Sequence, residues 1–206
     1  LGGKNPNIIM RDADLEIAIP GVIDGMRYTR QGQACTAGSR VYIHEKIYDK
    51  VLEAVVEKLS KLKMGNALDE ISDIGAIISE EQLKRTLYYM DIAKKNSSTK
   101  ILHGGNQSKG GEYKDGFYYE PTLLSGLPVS SPVCQEEVFG PVACAIPFKS
   151  FDEVMKSAND TQFGLSAVLW TKDLSRALQF VDEIEAGFVQ VNQCVAPRAN
   201  VSYGGI

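Results

Sequence analysis

The stretch Gln31-Gly32-Gln33-Ala34-Cys35-Thr36-Ala37-Gly38-Ser39-Arg40 sets a thiol among small residues, where a helical pattern gives way to a strand pattern. A thiolate is a strong nucleophile, and positive potential or backbone N–H groups activate it by lowering its pKa. Nothing bulky flanks Cys35, so nucleophilic catalysis is one reading of this segment. A small buried filler is the other, because free cysteine is among the most buried residue types. Cys134, Cys144 and Cys194 lack such a setting, and Cys144 in an apolar run reads as core. The four cysteines show no CxxC spacing and are too few to staple 206 residues, so they read as free thiols. His44 and His103 are the only histidines and stand far apart, so neither a metal site nor a Ser-His-Asp triad is expected.

The elements around Cys35 follow from periodicity. Asp12 reads as the cap of a helix running towards Tyr28, which Pro20 and Gly21 should kink or break. Val41 to His44 reads as a strand, and Ile47, Val51, Val55, Leu59 and Leu62 then recur at helical spacing. Ser79 opens another helix, with Gln82 at the third position of a capping box and Leu83, Leu87 and Met90 on one face. Lys100 to His103 reads as a strand, residues 106–116 as a surface loop, and Tyr118 to Leu123 as a strand.

Ala143 to Phe148 follows as a buried strand, then a helix capped by Ser150 with Glu153, and Ala167 to Trp170 as a strand. Asp173 to Ala186 is helical, Gly187 stops it, and Phe188 to Asn192 is a last apolar strand. Strand and helix alternate throughout, without repeats. The fold class expected is α/β, a mainly parallel sheet with helices on both faces, formed by residues 1–206 as one domain.

The 44% hydrophobic content can build a core, and a net charge of −4 with dispersed signs offers no field for nucleic acid or an anionic membrane. No apolar run reaches the length of a membrane span and no signal peptide is visible, so a soluble, cytoplasmic protein with a small-molecule partner is expected. Both termini look severed: Leu1-Gly2-Gly3-Lys4 begins in mid-motif, and Tyr203-Gly204-Gly205-Ile206 stops on a turn-like pair.

Several motifs in order carry a resemblance. Leu1-Gly2-Gly3-Lys4 with Pro6-Asn7, then Gly32-Gln33-Ala34-Cys35, then Glu136-Glu137-Val138-Phe139-Gly140-Pro141, resemble the signatures of the aldehyde dehydrogenase family. Asn159-Asp160-Thr161, Phe163-Gly164-Leu165 and Gly187 to Asn192 are similar to its later motifs, so the likeness spans the chain.

That resemblance implies the family's catalytic domain, with Cys35 as nucleophile, NAD or NADP as cofactor and a small aldehyde as substrate. It implies that Glu137 bonds the nicotinamide ribose hydroxyls, that Phe139 packs beside the nicotinamide, and that Gln82 approaches the same ribose. Taken as residue types alone, Glu137 is a surface acid in an acidic pair, Phe139 a core aromatic and Gln82 a capping residue. Lys4 and Asn192 read either as supports, with Asn192 anchoring the Cys35 loop, or as ordinary surface or turn residues, and Arg40 reads as a residue that holds the local fold. Residues 193–202, with Cys194, Pro197 and Arg198, fall where the family shapes its substrate funnel.

By the same resemblance the general base lies one residue before Leu1, and the nucleotide-binding domain and the oxyanion-hole Asn lie upstream. The whole enzyme is then expected to be a homo-oligomer. Two alternatives stand beside hydrolytic aldehyde oxidation: an acylating relative that hands the thioester to coenzyme A, and a catalytically silent structural protein.

Overall fold

The computed structural model describes residues 2–194 and 200–206. Its elements in chain order begin with β1 (Pro6–Ile9), α1 (Leu15–Gly25), β2 (Arg40–His44), α2 (Tyr48–Leu59), α3 (Glu80–Lys95) and β3 (Lys100–His103). β4 (Gln107–Ser108), β5 (Tyr118–Tyr119), β6 (Thr122–Ser125), α4 (Pro132–Gln135) and β7 (Val142–Phe148) follow. The series ends with α5 (Phe151–Asn159), β8 (Ser166–Trp170), α6 (Leu174–Glu183) and β9 (Phe188–Val191).

Seven strands form one sheet in the order β3-β6-β7-β2-β1-β8-β9. Every pairing is parallel except β3 with β6. Side chains alternate faces along a strand, and each face carries its own core. Ile8, Tyr42, Cys144, Ile146 and Leu169 pack with α3, α4, α5 and α6, through residues such as Leu83, Val133, Val154 and Phe180. Their sequence neighbours Ile9, Val41, Ile43, Ala145 and Trp170 pack with Ala18, Val22, Val51 and Val55 of α1 and α2. The α/β architecture expected from the alternation is therefore present, with helices on both faces.

Several details differ from the sequence reading. Asp14, not Asp12, caps α1. Asp12 Oδ2 instead accepts bonds from Thr171 Oγ1 and the N–H groups of Lys172 and Asp173, tying the end of β1 to the end of β8. α1 runs through Pro20 unbroken. The carbonyl that Pro20 leaves without a helical partner belongs to Glu16, which is exposed and can be hydrated. Gly21 serves packing, since a Cβ there would lie 2.1 Å from the Trp170 ring.

The 106–116 loop contains β4, which pairs with β5 as a small antiparallel sheet. β1 escaped the pattern because it is four residues long, buried on both faces and begins on a proline, a residue that strands accept at their first position. Among the described residues no helix is long and apolar enough to cross a membrane.

Candidate active site

Strands β7, β2 and β1 are adjacent and parallel, so the residues just before each of them meet at one end of the sheet. Those residues are Glu137 to Gly140, Cys35 to Ser39 and Gly2 to Lys4. The cluster lies at the amino ends of the strands, opposite to the carboxyl-end crevice usual in open α/β sheets.

Cys35 sits in a turn that the preceding chain holds tightly. After α1 a short 3-10 segment, Tyr28–Arg30, is pinned by the buried Tyr28 hydroxyl, which donates to the Thr122 carbonyl at 2.9 Å. Gln31 and Gly32 then adopt left-handed backbone, with φ of 54° and 64°. Glycine is required at 32, because a Cβ would lie 2.2 Å from the Gly140 carbonyl oxygen. That close approach locks the thiol turn against the loop before β7. The Cys35 side chain is half-buried, and its Sγ lies 3.1 Å from the Tyr203 hydroxyl.

From the other side Asn5 clasps the turn. Its side-chain nitrogen donates to the carbonyls of Cys35 at 2.8 Å and Ala37 at 2.9 Å, while its oxygen accepts the Ser166 N–H at 3.0 Å. Asn5 is only 3% exposed, so leaving these groups unpaired would cost about 1–3 kcal/mol each. Gly3 allows the approach, since a Cβ there would come within 2.0 Å of the Cys35 carbonyl oxygen.

The acidic pair divides its work. Glu136 accepts the Tyr89 hydroxyl at 2.7 Å, and Glu137 turns the other way, its Oε1 accepting the Gly3 N–H at 2.9 Å. Phe139 holds a left-handed φ of 55°, and with Glu137, Gly3 and Ala34 it lines one narrow cleft. Ser79 caps α3, its Oγ accepting the Gln82 backbone N–H, but the Gln82 side chain does not close the expected capping box. The Gln82 side-chain nitrogen donates to the carbonyls of Val138 at 3.0 Å and Phe139 at 2.7 Å. Cys35, Glu137 and Phe139, on loops, and Gln82, in the first turn of α3, are spread over more than 100 positions in sequence and thus belong to one connected cluster.

Beneath this set lie buried charges. Arg40 is fully buried, its guanidinium donating to the Lys4, Ser157 and Ala158 carbonyls and to the Tyr42 hydroxyl. It holds the local fold, as expected from the sequence. Lys4 is 1% exposed, and its Nζ has no hydrogen-bond partner among the described residues. Desolvation holds the Lys4 ammonium below the ordinary lysine range. Cys134 and Cys144 are buried near it, and the neighbouring Cys134 thiol together with burial pushes the Cys144 thiol up.

Asn192 does not anchor the thiol turn. Its φ is 53°, and its amide donates to the Thr171 carbonyl and accepts the Thr171 N–H, closing the end of β8. Asn5 takes the role that sequence reasoning gave to Asn192. Two amides bracketing Pro6 at the start of a central strand were the available signal. Tyr203, just before Gly204-Gly205, was also passed over. Pro197 and Arg198 lie outside the described residues. Cys194 is partly buried, and desolvation pushes its thiol up.

A half-buried thiol is thus held at the amino end of a parallel sheet beside a carboxylate and an aromatic ring, an arrangement chemically able to make a nucleophilic attack. The profile of the aldehyde dehydrogenase family matches residues 1–206, and the chain belongs to that family.

Putative aldehyde dehydrogenase DhaS of Bacillus subtilis (strain 168) is 38% identical over 205 residues, covering 100% of this chain and 40% of that protein. D-glyceraldehyde dehydrogenase (NADP(+)) of Picrophilus torridus is also 38% identical, over 98% of this chain and 40% of its own length. Betaine aldehyde dehydrogenase from Staphylococcus aureus, solved in complex with NAD+, superposes with a TM-score of 0.96 at 36% identity, over 100% of this chain and 40% of its own. The chain thus spans about two fifths of the length of the relatives it matches.

Proposed function

We propose that residues 1–206 form the thiol-bearing part of a larger enzyme that oxidises an aldehyde to a carboxylic acid with NAD or NADP. The observation that carries this reading is the Cys35 turn, clasped by Asn5 and Gly32, in a chain of this family. An aldehyde carbon has no leaving group but hydride, so a covalent step is useful. Sγ of Cys35 attacks that carbon, the carbonyl electron pair moves to oxygen, and a thiohemiacetal forms. The Cys35 backbone N–H has no backbone acceptor among the described residues, which leaves it free to donate to the new oxyanion. A preorganised donor of this kind is worth roughly 3–4 kcal/mol in the transition state.

A bound nicotinamide supplies the hydride acceptor. The residues present fit such a group: Oε1 of Glu137 is fixed by Gly3, while Oε2 has no donor among the described residues and can accept ribose hydroxyls. Phe139, in the same cleft, gives a flat apolar wall. Gln82 acts through its two bonds to the carbonyls of Val138 and Phe139, which set the position of that wall. The thioester then left on Cys35 is hydrolysed by water with the help of a general base outside residues 1–206. Relatives named for NAD+ and for NADP(+) leave both dinucleotides as candidates.

The test is a single turnover of the full-length enzyme with aldehyde and either dinucleotide, quenched in acid. An acyl adduct on the peptide containing Cys35 is expected, released as free acid in water. Release only on addition of coenzyme A would assign the acylating reaction instead. No adduct and no reduced dinucleotide would mark a silent protein.

A further inference from the structure

Cys35 Sγ has one side-chain neighbour at hydrogen-bond distance among the described residues, the Tyr203 hydroxyl at 3.1 Å. The Tyr203 ring lies edge to face on Phe188, centroids 5.7 Å apart at 73°, and Phe188 is the first residue of β9. The hydroxyl is thus aimed at the sulfur from a strand end independent of the turn that carries the thiol. Resting on the assignment of Cys35 as nucleophile, we propose that Tyr203 is a positioning residue that donates its phenolic hydrogen to the Cys35 thiolate. It thereby holds the thiolate once formed and fixes the direction in which the sulfur lone pairs point.

The direction of the bond follows from which partner keeps its proton. Burial and the bond to Cys35 push the Tyr203 phenol up to about 12, so it remains protonated wherever a thiol titrates. Once the sulfur is ionised it can only accept. The charged side chain that acts on the phenol is Arg27, from the turn after α1, which pulls it down. No proton is transferred in the step itself: the S–C bond forms, the carbonyl pair moves to oxygen, and Tyr203 keeps its hydrogen. A thiolate held by a donor is more abundant but intrinsically less nucleophilic than a free one, because nucleophilicity falls as the thiol becomes more acidic.

The experiment is the pH profile of carbamidomethylation by iodoacetamide, read at each cysteine by peptide mass spectrometry, on the full-length enzyme carrying Tyr203, Tyr203→Phe or Tyr203→Leu. Tyr203→Phe keeps the ring contact with Phe188, and the side chain is 44% exposed, so folding is preserved. Removing the donor should slow Cys35 labelling at pH 7 by roughly fivefold, with the profile displaced to alkaline pH. At pH 10 the rate should equal or exceed that of the parent. Tyr203→Leu should give the same displacement.

Superimposable profiles for the parent and Tyr203→Phe would overturn the inference. So would faster labelling of Tyr203→Phe at pH 7, which would make Tyr203 an acceptor, or an effect confined to Tyr203→Leu, which would leave only the ring at work. In each of those cases the nucleophile assignment survives, provided Cys35 outpaces the other thiols. If Cys35 in the parent labels no faster than Cys134, Cys144 and Cys194, that assignment and this inference fall together.

Discussion

The Asn5 side-chain nitrogen lies 2.8 Å from the carbonyl oxygen of Cys35, and the same amide reaches the Ala37 carbonyl and the Ser166 N–H. One buried side chain therefore joins the thiol turn to the starts of β1 and β8. The position of the sulfur is set by a residue that has no part in bond making. Asn5→Ala should remove all three bonds and leave buried groups unpaired, lowering stability by about 3 kcal/mol. Calorimetry should show a fall in Tm of roughly 6–12 °C. A loss below one degree would mean that the turn is held by its glycines alone.

Glu137→Gln separates cofactor handling from folding. Glutamine keeps an oxygen that can accept the Gly3 N–H but loses the charge that the proposed function assigns to ribose hydroxyls. In the full-length enzyme hydride transfer in a single turnover should slow by at least tenfold, while Tm moves by less than about 2 °C. Unchanged hydride transfer with a large drop in Tm would make Glu137 a structural acid.

Lys4 predicts a pH-dependent stability of definite sign. Burial lowers its folded pKa below the ordinary lysine value of 10.5, so between the two values the unfolded chain binds more protons. Stability from this group is therefore lowest at and below the depressed folded value and recovers as pH rises to about 10.5. Lys4→Met should stabilise at pH 7 by about 2 kcal/mol, and its advantage should shrink steadily as pH rises. Urea titrations of both proteins from pH 6 to 10 would show it. A destabilised Lys4→Met would indicate that the ammonium is paid back by Cys134 and Cys144.

A polypeptide of residues 1–206 should fold, since both sheet faces are covered, yet give no sustained NAD(P)H production from aldehyde. The proposed mechanism needs a nucleotide-binding domain and a base that the resemblance puts upstream. A single modification of Cys35 by an activated ester should still occur and persist. Steady turnover dependent on Cys35 would require a base within these residues.

The sequence made the sheet legible because alternation of buried strands with amphipathic helices is a long-range pattern that survives local irregularity. Cys35 and Glu137 stood out through the company they keep, small residues in one case and an ordered motif in the other. Asn5 and Tyr203 did not, because their importance lies in partners 30 and 168 positions away. No local spacing encodes that three loops meet once β7, β2 and β1 lie side by side. Asn192 was misplaced for the same reason: an amide after a strand can close on its neighbour strand or on a distant turn, and only the register of β8 and β9 decides.

The contact of Gly32 with the Gly140 carbonyl bears on how such a chain can diversify. With Gly32 fixed at one end, Arg40 paired in β2 at the other and the Cys35 carbonyl pressed on Gly3, the thiol turn has no slack. An inserted or deleted residue there would displace the sulfur, so its length should stay constant while side chains at Ala34 and Thr36 vary. The segment around Gly110 and Gly111 is different, for a Cβ at either would meet nothing within 4 Å. Insertions, fusion tags and circular-permutation breaks belong there, free of the tolerances that hold the thiol turn.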